Sequence, residues 1–271
     1  GIETVCGVQR LDGVVELIER HERGDTNLGG RNHQHVDALI AQGLEELGGQ
    51  TGMGLHANAH DRDLADAIAG AGLVIDNVHA PWDGINHIWR AGERGEAVTE
   101  RLLGHMETCA SLGVKRVVYH VSAGNNYPPI SEIGIDRMKR MVETAEHLGV
   151  DMCLENQRFF HFIDYIYYRI DSPRLRFCYD SGHEACFSQT KLALPKYRDR
   201  LSALHLHDND GEYEHDEHLL PGYSTGVDWD YVRRNIADYD GVISLEVRYI
   251  NGMSCDEFYA AAMKAARFVK Q

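Results

Sequence analysis

The chain has 271 residues, 43% of them hydrophobic, with 27 Lys and Arg against 42 Asp and Glu for a formal charge of −15. That length and apolar content suit one large domain with a sizeable core, and no apolar run approaches the roughly 18–20 residues of a membrane span. So acidic a balance argues against a polyanion as the main partner, because phosphate binding calls for a basic face.

In chain order, the opening GIETVCGVQRLDG lacks the charged start and apolar run of a secretory signal, although a Gly start leaves room for a trimmed leader. IETVCGV (2–8) is the expected first strand. ELIERH (16–21) and HVDALIAQGLEELGG (35–49) read as helices around a Gly/Asn/Asp-rich break at 24–32. From residue 52 the alternation is regular. TGMGLHA (51–57) is a weak strand, DRDLADAIAGAG (61–72) a helix with Asp61 as cap, and LVIDNVHA a strand. EAVTERLLGHMETCASLG (96–113) is a helix stopped by Gly, VKRVVYHV a strand, and SEIGIDRMKRMVETAEHLG (131–149) a helix again ended by Gly. VDMCLEN, LRFCYD, LSALHLHD and GVISLEV are further strands. Between and after them fall helices over 159–170, 191–200 (broken by Pro195), 228–239 (capped by Asp228) and 254–270. Strands alternating with helices give a parallel sheet of near-continuous apolar runs. The expected fold is an α/β (β/α)8 TIM barrel spanning residues 1–271 as a single domain. A doubly wound open sheet is the competing architecture.

Six strands stop on a residue that can bind a metal: VIDNVHAPW at His79, RVVYHVSAG at His120, MCLEN at Glu155, FCYDSGH at Asp180 and His183, ALHLHDND at His205, and ISLEV at Glu246. A barrel gathers such endings on one rim. The loop after His205 adds Asp216 and His218. Carboxylates and imidazoles together suit a hard or borderline divalent cation, which also offsets the repulsion among crowded carboxylates. Any one of these residues alone fits a structural role; their joint occurrence points to a metal site. Cys153 and Cys178 precede Glu155 and Asp180 by two, so they should share the inward face beneath the site. None of the six Cys forms a CxxC pair, which suggests reduced thiols and a cytoplasmic location. The charge runs DRMKR and KYRDR are expected on solvated helix faces. There is no GxGxxG, P-loop or GxSxG pattern.

These motifs, HAPW, YHVSAG, LEN, DSGH, HLHD, DEHLLPG and LEV, resemble the xylose isomerase-like TIM barrels, a superfamily that includes sugar isomerases and epimerases and also endonuclease IV. The resemblance covers about residues 52–250. In the isomerase and epimerase branch, it implies one divalent metal held by Glu155, Asp180, His205 and Glu246, with Mn²⁺ or Zn²⁺ foremost and Co²⁺ or Mg²⁺ also compatible. In the endonuclease IV branch, it implies up to three Zn²⁺ that also use His79, His120, His183, Asp216 and His218.

The reading placed first is a sugar or sugar phosphate isomerase/epimerase. It works by proton transfer through a metal-stabilised enediolate, with Glu155 and Glu246 on opposite faces of the substrate. Trp82 would wall the pocket or pack in the core, His183 would steady a substrate hydroxyl, and His79, His120, Asp216 and His218 would likewise meet either substrate or further metal. Arg158 or Arg248 would hold an anionic substrate group, although a surface salt bridge suits either arginine. The alternatives are a multi-zinc phosphoesterase acting on a small substrate rather than DNA, another metal-dependent lyase, and a barrel that binds without turnover. The helix faces leave a homo-oligomer open, and loop lengths rather than the fold set which sugar is taken.

Overall fold

The computed structural model describes residues 74–248, 250 and 252–271, together with Ala65 and Ile68, which are both helical. The expected strands at 2–8 and 51–57, the helices at 16–21 and 35–49, and Cys6 lie outside the described residues.

Five short strands, β1 (Asn77–His79), β2 (Arg116–Tyr119), β3 (Asp151–Glu155), β4 (Leu175–Asp180) and β5 (Leu201–His205), form one sheet in sequence order, all parallel. The segment through Leu245 extends it. Leu206 and Leu245 bridge in parallel, with Leu206 N–H donating to Ser244 O and Glu246 N–H to Leu206 O. Six of the eight expected strands therefore pair consecutively, as in a parallel half-barrel.

The connecting helices are α1 (Glu93–Ser111), α2 (Glu132–Leu148), α3 (Phe160–Arg169), the short α4 (Ser181–His183) running into a wider turn at Glu184–Ser188, α5 (Ala193–Tyr197), α6 (Trp229–Ile236) and α7 (Cys255–Val269). Their ends follow from sequence chemistry. The Ser131 hydroxyl caps α2 by accepting from Gly134 N–H, and Gly149 closes that helix with φ 69°, a left-handed conformation that suits glycine. Asp228 caps α6 through Tyr231 N–H, and Ser254 and Glu257 form a reciprocal capping box on α7. α1 begins three residues before its expected start, and a 3₁₀ turn at Ile85–Trp89 precedes it.

The sheet's two faces differ in kind. Outward, Val117, Tyr119, Met152, Leu154, Phe177, Tyr179 and Leu204 join the main core with residues such as Leu102, Met106, Met138, Met141, Phe162 and Phe258. Inward, the side chains lie in tiers. Lowest is a polar tier, where Arg116 pairs with Asp76 and donates to Ser202, whose hydroxyl donates to Asp151. Above it, Val118, Cys153, Cys178 and Ala203 form a separate buried cluster. The two thiols therefore sit directly under the strand ends, and burial pushes the Cys178 thiol up to about 12. Contacts from β2 and β3 to β5 that skip β4 require a strongly curved sheet.

One expectation is corrected. Arg137, within DRMKR, is not on a solvated face: it is 4% exposed. Its guanidinium donates to the carbonyls of Ile88 and Arg90 at 2.9 and 2.7 Å, where the 3₁₀ turn leaves acceptors without helical partners. Among the described residues, no helix is long and apolar enough to cross a membrane.

Candidate functional site

The third inward tier is built from the C-terminal ends of the strands. His79, Glu155, Asp180 and His205 end β1, β3, β4 and β5, His120 directly follows β2, and Glu246 follows Leu245. His183 comes from α4, while Asp216 and His218 come from the loop after β5. All nine metal-type residues expected from the sequence converge. Glu155, Asp180, His205 and Glu246 each offer a ligand atom within 4.8 Å of the others, and all four are buried.

Around this core the contacts form a chain. On one flank, Glu155 Oε2 lies 2.8 Å from His120 Nε2 and 3.5 Å from His79 Nε2. At the centre, His205 Nδ1 faces Glu155 Oε1 at 2.5 Å and Glu246 Oε2 at 2.9 Å, while its Nε2 meets Asn77 Oδ1 at 3.2 Å. On the other flank, Asp216 Oδ2 lies 3.5 Å from His183 Nε2 and 3.3 Å from His218 Nε2.

The outer imidazoles are oriented by backbone. The Nδ1 atoms of His79, His183 and His218 face the carbonyls of Ala80, Asn156 and Glu246 at 2.7, 3.1 and 2.9 Å. Donation there leaves each Nε2 turned to a carboxylate, the arrangement that fixes the tautomer of metal-ligating histidines. The His218 backbone takes a left-handed φ of 54°, and Arg248 N–H donates to its carbonyl at 2.8 Å. Asp208, fully buried, pins the loop that carries Asp216 and His218. Its carboxylate accepts from Gly222 N–H and the Trp229 indole at 2.9 Å, and also from the N–H groups of Asn209, Ser224 and Val227.

At several of these groups, burial and the neighbouring charges pull in opposite directions. Burial alone would raise the Glu155 carboxyl, but His183 and His205 hold it well below its usual range; His205 and His218 do the same for Glu246. Burial likewise disfavours the His183 imidazolium, and Asp180 and Asp216 raise its pKa well above the ordinary value. His218 is raised to about 9 by Asp216 and Glu246 against its own burial. His120 is the exception: burial prevails over its hydrogen bond to Glu155, and its pKa falls.

Two buried neighbours were not singled out in the sequence. His207 has no solvent exposure, stacks on His218 with ring centroids 4.1 Å apart, and brings Nε2 to 3.1 Å from Asp180 Oδ1 and 3.6 Å from Asp216 Oδ1. Gln157 places Nε2 at 2.9 Å from each of His120 Nε2, Glu155 Oε2 and His183 Nδ1. Each follows a recognised residue by two, the spacing that keeps an extended chain on one face.

The expected substrate-contact residues lie at the rim. Trp82 packs against the rings of His79 and His120 at 5.7 and 5.3 Å. Arg158 pairs with Glu214 at 3.1 Å and stacks 3.8 Å over Phe187, so the salt-bridge alternative describes its geometry. The Arg248 side chain is exposed.

The donor set fits a divalent cation. Asp180 Oδ2, Glu246 Oε2, Asp216 Oδ1 and both ring nitrogens of His207 are buried without a hydrogen bond. Buried carboxylate oxygens of that kind are costly unless a charge offsets them.

Comparison with known proteins gives a consistent family. The profile described as xylose isomerase-like TIM barrel matches residues 41–270. An uncharacterised Sinorhizobium fredii protein, y4fM, is 26% identical over 204 residues, 63% of this chain; the chain spans 64% of that relative's length. Among solved structures, a D-tagatose 3-epimerase-like protein is 24% identical with a TM-score of 0.64, covering 79% of this chain and 82% of that one. D-psicose 3-epimerase from Clostridium cellulolyticum H10, solved with D-tagatose, gives 16%, 0.63, 78% and 83%. The IOLI protein, solved with a zinc atom, gives 18%, 0.59, 98% and 92%. At these identities the likeness is one of fold.

Proposed function

The chain belongs to the xylose isomerase-like TIM barrel family, and on that premise we propose that it is a divalent-metal-dependent isomerase or epimerase of a small sugar or sugar phosphate. The observation that carries this reading is the pair of buried glutamates meeting at His205. Glu155 and Glu246 arrive from different strands, and their oxygens lie 2.5 and 2.9 Å from the same Nδ1. The sugar epimerases of similar fold support the same substrate class.

Glu155, Asp180, His205 and Glu246 would hold the cation. When bound, it would supply Lewis-acid polarisation of two neighbouring substrate oxygens and offset the three carboxylates. Proton movement falls to the glutamates. One accepts the proton from the carbon beside the carbonyl, and the other returns a proton to that carbon from the opposite face, as epimerisation requires. Trp82, set against His79 and His120, walls the apolar side of a sugar ring and helps exclude water. Asn77 fixes the ring plane of His205 through Nε2.

A second reading, a multi-metal phosphoesterase, is favoured by one observation. The groups His79–His120–Glu155 and His207–Asp216–His218 flank the core, and each has its ligand atoms within 4.8 Å of one another. Metal content of protein purified without added metal, together with isotope exchange, separates the two. The isomerase reading expects one tightly held cation and deuterium incorporation beside the carbonyl when a ketose is incubated in heavy water. Close to three zinc ions per chain, with phosphodiester cleavage and no exchange, would favour the phosphoesterase. Glu246→Gln should lower turnover by about 10²–10⁴-fold, the usual worth of a positioned acid or base, and should also weaken metal retention. Full activity in that variant would refute the assignment.

A further inference from the structure

Gln157 occupies the point where three ligand-type atoms converge. Its Nε2 is 2.9 Å from His120 Nε2, Glu155 Oε2 and His183 Nδ1. The residue is 4% exposed, so water does not compete for the amide. The ring of His183 is already committed, because its Nδ1 faces Asn156 O at 3.1 Å. His120 Nε2 lies 2.8 Å from Glu155 Oε2 and is committed as a donor to that carboxylate. Of the three atoms, the one left to accept from the amide is Glu155 Oε2.

A cation bound by His79, His120 and Glu155 would need the lone pair on Glu155 Oε2 that the amide uses. The amide and the cation cannot both have it. We propose that Gln157 is an internal competitor for this flank, weakening cation binding at His79–His120–Glu155 relative to the core. The proposal rests on the reading of Glu155, Asp180, His205 and Glu246 as a cation site. It makes the core fill first and gives one residue control over whether the protein works with a single metal or with more. Asp216, His183 and His218 are not contested in this way: the Nε2 atoms of both histidines face Asp216 at 3.5 and 3.3 Å.

The test is a zinc titration of the full chain against a competing chelator, comparing the native protein with Gln157→Ala. The hydrogen bond from the amide to the Glu155 carboxylate must be given up when the cation enters the native site. The weaker zinc site of Gln157→Ala should therefore tighten on the order of 10–100-fold, with the tightest site nearly unchanged. Adding His120→Ala to that variant should abolish the gain. Gln157→Asn retracts the amide by one methylene and should give the same direction of change, which guards against a folding defect in the alanine variant. Unchanged or weaker zinc binding in both Gln157 variants would overturn the proposal; weaker binding would mark the amide oxygen as a ligand. A gain that survives His120→Ala would overturn it as well. A core that takes no zinc in any variant would instead sink the functional reading, whereas an outer site indifferent to Gln157 sinks this proposal alone.

Discussion

On the His79–His120 side of Glu155, buried polar atoms have partners. His120 meets both Glu155 and Gln157, and His79 is tied to Ala80 O. On the Asp216 side, Asp180 Oδ2, Asp216 Oδ1 and both nitrogens of His207 are buried without a hydrogen bond. The two flanks use the same residue types but differ in what already satisfies them. The first is balanced by the Gln157 amide and by the His120 hydrogen bond to Glu155. The second holds two carboxylates beside imidazoles raised toward the charged form. Demand for added positive charge therefore concentrates around Asp180 and Asp216, and a site lined evenly by ligand-type residues need not bind evenly.

The largest test of that contrast is pH. His218 is raised to about 9, against about 6.5 for an unfolded imidazole. Because the folded value is the higher one, its pairing with Asp216 stabilises the metal-free protein fully below pH 6.5. That contribution is lost as pH rises through about 9. The loss is on the order of 3 kcal/mol and should appear as reduced urea resistance of stripped protein at pH 9.5 relative to pH 6. Zinc requires neutral imidazoles, so zinc affinity should rise over the same interval. A metal-free stability that is flat from pH 6 to 9.5 would break the contrast.

A smaller effect compares the flanks directly. Asp216→Asn should weaken retention of the zinc held on its flank by about 10–100-fold, the range known for disrupting the surroundings of a metal ligand. His79→Gln, on the flank where Gln157 already donates to Glu155 Oε2, should cost less than about tenfold. Equal losses in chelator competition would show that the two sides bind alike.

Much of this was legible in the sequence, because parallel strands buried on both faces read as apolar runs and a barrel gathers their endings. Gly149 and Asp228 marked helix ends through chemistry that acts locally. Metal-type residues were legible at the strand ends, at His183 just after β4, and at Asp216 and His218 in the loop after β5. His207 and Gln157 lie two residues beyond His205 and Glu155, where the extended backbone keeps its alternation after the apolar pattern has stopped. Continuing the period of two by one step would have found both. Arg137 was hidden for a different reason: its acceptors are carbonyls about 47 positions earlier in the chain, at the end of the 3₁₀ turn, and no local charge pattern encodes them. Asp208 was equally silent, since its donors come from Asn209 and from positions 14–21 residues downstream.

The smallest effect isolates His207. A Cβ added at Gly182 would lie 1.9 Å from His207 Cε1 and 2.4 Å from its Nδ1, too close for any real contact. The ring cannot retreat freely, because it is stacked on His218 and fully buried. Gly182→Ala should therefore destabilise the protein by about 1–3 kcal/mol, the usual cost of overpacking, and should loosen zinc held near Asp216 while leaving the His79 flank unaffected. Gly104, inside α1, has nothing within 4 Å of its added Cβ. There Gly→Ala removes unfolded-chain freedom and strengthens the helix, so it should stabilise by about 0.4–1 kcal/mol. Chemical denaturation of the two variants should thus give shifts of opposite sign. If Gly182→Ala also proves stabilising, the His207 ring has room to move, and the Asp216 flank is less constrained than its burial implies.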